Sequence, residues 1–415
     1  MIPRTGPQAP PRGGAAAGAR LGALLFVLAG NMLIDALEVS VVLPALPATA
    51  EGLGLSLNEV QWVMSGFALG FAALLLIGPR LTARFGRRRV YLAALVVFVL
   101  ASLAGGATDS GALLVATRVV KGGCAALTAP VGLAIIATVF PDGPRQRRAV
   151  SVYSLFGAAG FTVGLLLSGL LTAFSWRLTL LAPAAAALVL LPFAWRLVPE
   201  QSGEQSGEQR HPVVPRALLG HRPLLRAAAG AASLNGSHLA LLLTAVFTLR
   251  TERGWPPWLT AVAFLPACVP LVGAALFSGR MVERFGTARL VALGALASVL
   301  GYGWQLAGPG PGAYATGLLP TLLLTGTAFV LAFGALNMQA TAGIPAADRG
   351  LAVPLYQTGV QLGAVVALTA TAALLSSAAG TVPALAFITA AGAFGLVAAL
   401  AGLADRTSTD AAAVR

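Results

Sequence analysis

The chain has 415 residues, of which 57% are hydrophobic and only 10% charged, whereas soluble domains carry charge on about 25% of theirs. That composition excludes a water-soluble enzyme or nucleic-acid-binding domain, in spite of a formal net charge of +13. Two cysteines, Cys124 and Cys268, provide neither a disulfide framework nor a metal-ligand set.

The first 20 residues are rich in Pro, Gly and Ala and read as a disordered tail. The apolar run behind them is too long for a signal-peptide core. From there, apolar stretches of about 20 residues, enough to cross a bilayer, recur twelve times. They fall at 21–48, 58–78, 90–108, 112–140, 149–173, 177–196, 223–249, 257–279, 287–308, 313–342, 351–376 and 379–404. The first span holds Asp35 and Glu38, spaced to share one helical face. They are the only carboxylates deep inside a predicted span, and an intramembrane acid is costly enough to point to function. The fourth span carries Arg118 and Lys121 at the same spacing. The fifth has Gly157, Gly160, Gly164 and Gly169, a small-residue stripe that marks a packed helix face.

Residues 197–222 form the one long polar stretch in the interior. They include the small repeat SGEQSGEQ at 202–209 and read as a flexible linker. The expected organisation is a tail (1–20), a six-helix bundle (21–196), the linker (197–222), a second six-helix bundle (223–404) and a tail (405–415). In the second bundle, polar residues suited to hold a substrate are Asn235, Ser237 and His238 in the seventh span, Asn337 and Gln339 in the tenth, and Tyr356, Gln357 and Gln361 in the eleventh.

The charge has a direction. With the N-terminus inside, 22 of the 27 Lys and Arg fall on one face of the membrane. Only Arg177, Arg250 and Arg253 fall on the other face, and Arg118 and Lys121 lie within a span. This positive-inside pattern puts both termini in the cytoplasm and explains the basic balance without a nucleic-acid partner. No phosphate-cradling loop, metal-ligand spacing or Ser/His/Asp set is present, so the sequence reads as a non-enzyme without cofactor or metal.

The halves repeat each other. GPRLTARFGRRRV at 78–90 returns as SGRMVERFGTARL at 278–290, matching Arg80, Arg84, Phe85, Gly86 and Arg89 to Arg280, Arg284, Phe285, Gly286 and Arg289. Each copy is a short basic turn between two apolar helices, the mark of a duplicated membrane protein.

These stretches carry a resemblance to the major facilitator superfamily over nearly the full chain, and within it to the multidrug:proton antiporters. The basic turn resembles the family's G-x-L-A-D-R-x-G-R-K/R, with Pro79 and Ala83 departing from it and Gly279 and Glu283 restoring both positions in the second copy. LEVSVVLPALP at 37–47 is similar to L-D-x-T-x-V-N-V-A-L-P, with Glu38 at the Asp position. RVVKGGCAALTAP at 118–130 resembles R-x-x-Q-G-x-G-A-A. GAAGFTVGLLLSGLL at 157–171 matches G-x-x-x-G-P-x-x-G-G through Gly160, Gly164 and Gly169, but has Leu165 for Pro. DRGLAVPLYQTGVQLGAVV at 348–366 resembles D-R-G-x-A-S-G-x-x-x-x-x-x-Q-L-G.

The resemblance implies a fold and a set of roles. The fold is an all-α membrane protein of twelve helices in two pseudo-symmetric bundles. Helices 1 and 4 border its central cavity. Glu38 lies about 11 residues and Lys121 about 9 residues from the outer ends, or about 16 and 14 Å at helical rise. Asp35, Glu38, Arg118 and Lys121 are therefore expected to meet, line the cavity and couple protons. Arg80, Arg84, Gly86, Arg87, Glu283, Arg284 and Gly286 are expected to form a gate, with a latch moved to Glu283 because Ala83 lacks the acid. The implied function is proton-driven export of a drug or natural product by a plasma-membrane monomer. Import or facilitated passage of a polar metabolite, which Leu165 favours, and a non-transporting sensor of the same fold stay open.

Overall fold

In the computed structural model, residues 13–141, 143–200, 216–270, 278–308, 314–377 and 380–413 are described. The membrane spans fold as helices because only a helix pairs every backbone N–H and C=O within its own segment. We number them α1 (Gly13–Ser40), α2 (Trp62–Leu75), α3 (Arg87–Ala107), α4 (Gly111–Val139), α5 (Pro144–Thr172), α6 (Trp176–Leu197), α7 (Arg222–Phe247), α8 (Pro257–Ala263), α9 (Ser278–Ala307), α10 (Leu319–Thr341), α11 (Ala346–Leu375) and α12 (Thr381–Ala413).

Among the described residues, ten helices are long and apolar enough to cross a membrane. The pair Leu57–Leu75 and Gly78–Phe85, bent by 55°, passes the same test only when its two helices are taken together, and counted as one span it makes an eleventh. The predicted span 257–279 is represented by the apolar helix Pro257–Cys268, and its continuation through 271–277 lies outside the described residues. So do residues 1–12 of the expected tail and the SGEQSGEQ repeat of the expected linker. Much of the chain described at these edges is helical: α1 starts at Gly13, α12 runs to Ala413, and Arg216–Leu219 form a short helix. Alanine, the strongest helix former, is abundant in both extensions.

The spans begin and end on local chemistry. Ser110 accepts from Leu113 N–H and caps α4, and Ser175 accepts from Arg177 N–H at the start of α6. Pro44 and Pro47 cannot donate to a helical ladder, so α1 gives way at Val41 to a 3-10 turn (Leu43–Ala45) and the short helix Leu46–Leu53. Each basic turn pivots on a left-handed glycine, Gly86 (φ 83°, ψ 144°) and Gly286 (φ 70°, ψ 156°). The sequence repeat is therefore also a backbone repeat. Only glycine adopts these angles without strain.

Within the first half α1 packs on α5, α2 and α3 on α4, and α3 on α6. The second half repeats this with α7 on α11, α9 on α10 and α9 on α12. The halves meet along α2–α11 and α5–α8. At the basic-turn end each half has its own apolar core, one around Leu28, Tyr91, Ile135 and Tyr153, the other around Leu224, Leu336 and Tyr356. At the far end a single core joins both halves, from Val42, Leu46 and Val63 to Leu242, Val246 and Phe264. Trp176 belongs to that core.

Candidate functional site

The charged site grows out of a close crossing of α2 and α4. A Cβ on Gly122 would strike the Phe67 carbonyl, and one on Gly70 the Val119 carbonyl, so the two backbones touch. That contact brings Arg118 against α2, where its Nε–H donates to the Val63 carbonyl at 2.8 Å. The rest of the guanidinium turns to α1: one nitrogen pairs with Glu38 Oε2, and another donates to the Glu38 carbonyl at 3.0 Å. That carbonyl sits where α1 gives way, so the arginine supplies a donor where the helical ladder ends. Lys121 Nζ lies 2.5 Å from Glu38 Oε1. Each cation also rests on an aromatic face, Arg118 at 4.9 Å from the Phe67 centroid and Lys121 at 5.0 Å from that of Phe98.

Three of the four expected charges therefore meet. They are sealed inside the first half, with side chains 0–1% exposed, and so do not line the cavity as expected. Asp35 stands apart, in no ion pair among the described residues. It accepts from the Asn31 amide at 3.0 Å and from the Thr128 hydroxyl at 3.1 Å. Residue counting placed the acids and bases at one depth; it could not show that two cations would both settle on one acid.

In the second half, Asn235, Gln357 and Gln361 are half-buried and, with Asn337, meet no hydrogen-bond partner among the described residues. Gln357 and Gln361 lie on the side of α11 turned away from Gly359 and Gly363, which pack on Ala228 and Ala232 of α7. His238 lies 4.8 Å from the Phe329 ring, and Phe329 stacks on Phe333 at 5.6 Å, one turn before Asn337. Two expected ligands fall elsewhere. Tyr356 is buried in the core of the second half, because it shares the α7-facing side of α11. Gln339 shares a side of α10 with Ala332, which packs on Gly294 of α9. Ser237 is occupied by the Tyr302 hydroxyl at 2.9 Å.

The basic turns are exposed at Arg80, Arg84, Glu283 and Arg284, with Arg87 half-buried. Glu283 forms no ion pair among the described residues. The side chain of Arg280 lies outside the described residues. A contact that sequence reasoning did not single out anchors the first turn: Arg88 pairs with Glu200 at 2.7 Å and donates to the Trp195 carbonyl at 2.6 Å. The glycine stripe of α5 does pack, with Gly160 on Leu33 and Ala36 and Gly164 on Leu37 and Ser40 of α1. Gly169 instead meets Trp258 and Ala261 of α8, across the halves. Asn31, Thr128, Phe67 and Phe98 were also missed. Only Asn31, a polar residue one turn before Asp35 in an apolar run, left a sequence signal.

Comparison with known proteins agrees with this architecture. The D-xylose–proton symporter structure superposes with a TM-score of 0.76 at 17% identity, covering 92% of this chain and 96% of that one. A point mutant of the nucleoside transporter NupG superposes with a TM-score of 0.74 at 13% identity, covering 92% and 99%. Among curated proteins, the puromycin resistance protein pur8 of Streptomyces alboniger is 30% identical, covering 82% of this chain and 78% of its own length. The cephamycin export protein CmcT of Amycolatopsis lactamdurans is also 30% identical, covering 82% of each. The lincomycin resistance protein of Streptomyces lincolnensis is 28% identical, covering 82% and 81%. The sequence profile of the Major Facilitator Superfamily matches residues 28–368. The chain belongs to the Major Facilitator Superfamily.

Proposed function

We propose that this chain exports a small organic molecule, a drug or natural product, across the plasma membrane in exchange for protons. It acts as a monomer with both termini in the cytoplasm and uses no cofactor beyond the proton gradient. Relatives named for antibiotic resistance and for cephamycin export support the direction and the substrate class. The carrying observation is the buried set Asp35, Glu38, Arg118 and Lys121 on α1 and α4. Four ionisable groups buried in an apolar bundle, three of them sealed, are costly unless they do work there, and a charge-balanced set can accept or release one proton. The free amides Asn235, Asn337, Gln357 and Gln361, with His238 against Phe329 and Phe333, supply polar and aromatic contacts for an amphipathic cargo. With the basic turns in the cytoplasm, a core shared by both halves at the far end describes a state closed to the outside. Rocking of the halves about α2–α11 and α5–α8 then gives alternating access.

The test is accumulation of lipophilic cations and neutral antibiotics, puromycin included, in cells expressing the protein, with and without a protonophore. Lower accumulation that the protonophore abolishes is the expected result. Uptake that rises with expression would instead support import of a polar metabolite. Binding without flux in either direction would leave a sensor.

A further inference from the structure

The two carboxyls of α1 meet different chemistry. Both oxygens of Glu38 face cations, Oε2 the Arg118 guanidinium and Oε1 the Lys121 ammonium. Protonating Glu38 would leave two buried cations without a counter-charge, which a low-dielectric interior penalises heavily. Asp35 is 8% exposed, whereas Glu38 is fully buried. Its two donors are neutral and both reach Oδ2. Oδ1 takes no described hydrogen bond and is not among the buried polar atoms left unpartnered, so it reaches accessible space.

Thr128 makes both protonation states of Asp35 tolerable. Its hydroxyl has one hydrogen and three acceptors in reach: Asp35 Oδ2, and the carbonyls of Cys124 and Ala125 at 3.2 and 3.3 Å. Beside an ionised Asp35 the hydrogen points to the carboxylate. Beside a protonated Asp35 it turns to the α4 backbone, and the hydroxyl oxygen accepts from the acid. One hydroxyl rotation thus satisfies either state without moving a helix. The other titratable groups around Asp35 are Glu38 on α1, Cys124 on α4, Tyr91 on α3 and Tyr153 on α5, with Lys121 next to Cys124 and Glu38. None forms an ion pair with it.

We infer that Asp35 is the carboxyl that takes up and gives up the transported proton, while Glu38 stays ionised as a fixed counter-charge tying α1 to α4. This assignment rests on the proton-coupled export proposed above and deepens it. It parts from the motif, which singles out Glu38.

Infrared difference spectroscopy of the purified, reconstituted protein, stepped through pH, reads the carbonyl stretch of a protonated acid without any substrate. We expect a band that titrates in the parent protein and is lost in Asp35→Asn. Glu38→Asp keeps a charge between the two cations and should leave that band in place. A band that survives Asp35→Asn, or one that follows Glu38→Asp instead, overturns the assignment. Transport separates it from the export reading. With puromycin in proteoliposomes, Asp35→Asn should lose uphill movement on a pH gradient and keep exchange down a puromycin gradient. If Asp35→Asn still drives uphill movement, the assignment fails and proton-driven export stands. If the parent protein moves no puromycin while the band follows Asp35, export of that probe fails and the assignment stands.

Discussion

Arg118 is held by geometry as much as by charge. Its guanidinium serves a carboxylate and two backbone carbonyls on two different helices, a set of directions that an ammonium cannot reproduce. Removing it leaves Glu38 with Lys121 alone and strips donors from the Val63 and Glu38 carbonyls. Arg118→Gln should therefore cost about 3–5 kcal/mol, the usual penalty for breaking a buried pair. Lys121→Met leaves Glu38 its multidentate partner and should cost less. Thermal unfolding of the purified variants orders them, and a larger loss for Lys121→Met would contradict this account. At this scale the sequence was informative for Asp35, Glu38, Arg118 and Lys121, because a charge in an apolar run stands out by its desolvation cost alone. It was silent on Phe67, Phe98 and the Val63 carbonyl. Apolar side chains and backbone groups carry no mark of the charge they will meet.

Helix by helix, what sets the site is how closely α4 lies on α2. Gly122 stands where any side chain would run into backbone, at the Phe67 carbonyl. Backbone cannot step aside as a flexible side chain can. Gly122→Ala should separate the two helices, draw Arg118 away from Val63 and lower both melting temperature and transport. Gly334 on α10 has open space where its Cβ would stand, so Gly334→Ala should be neutral or stabilising by up to about 1 kcal/mol through helix propensity. Equal effects of the two would mean that the crossing does not position the site. Span positions were readable because hydropathy over about 20 residues reflects the bilayer itself. The break in α1 had its signal in Pro44 and Pro47, yet an unbroken span over 21–48 was the natural reading. Gln339 shows the limit on the other side: two residues from Asn337, it faces a different neighbour, and only packing decides which face of a helix is the inner one.

For the whole molecule, the seam between α5 and α8 offers a direct handle on the conformational change. Thr162 of α5 lies beside Cys268, just past α8, so Thr162→Cys places a second thiol near a native one. Oxidation should then join the halves and halt turnover, and a reductant should restore it. Continued transport by the crosslinked protein would show that this seam does not open in the cycle. The duplication that organises the molecule was legible in the two basic turns, and Gly86 and Gly286 carry it through to matching dihedral angles. Which end would be closed was not legible, because both conformations of such a protein must be built from one sequence.

The core that joins the halves at the far end has a consequence for affinity. Parting the halves there would wet apolar surface at about 2.5 kcal/mol per 100 Å², from about 25 cal/mol for each Å². On that cost alone, before any area buried by closure at the basic-turn end, the state open at the far end is the rarer one. A cargo arriving from the basic-turn side finds its receptive state already abundant, whereas one arriving from the far side has its apparent affinity divided by the rarity of the form it needs. We expect half-saturation for puromycin to lie at lower concentration on the basic-turn side, measured in membrane vesicles of the two orientations. Equal values on both sides would contradict this. A molecule built this way would gather its cargo at low concentration on one side and let it go against a high concentration on the other.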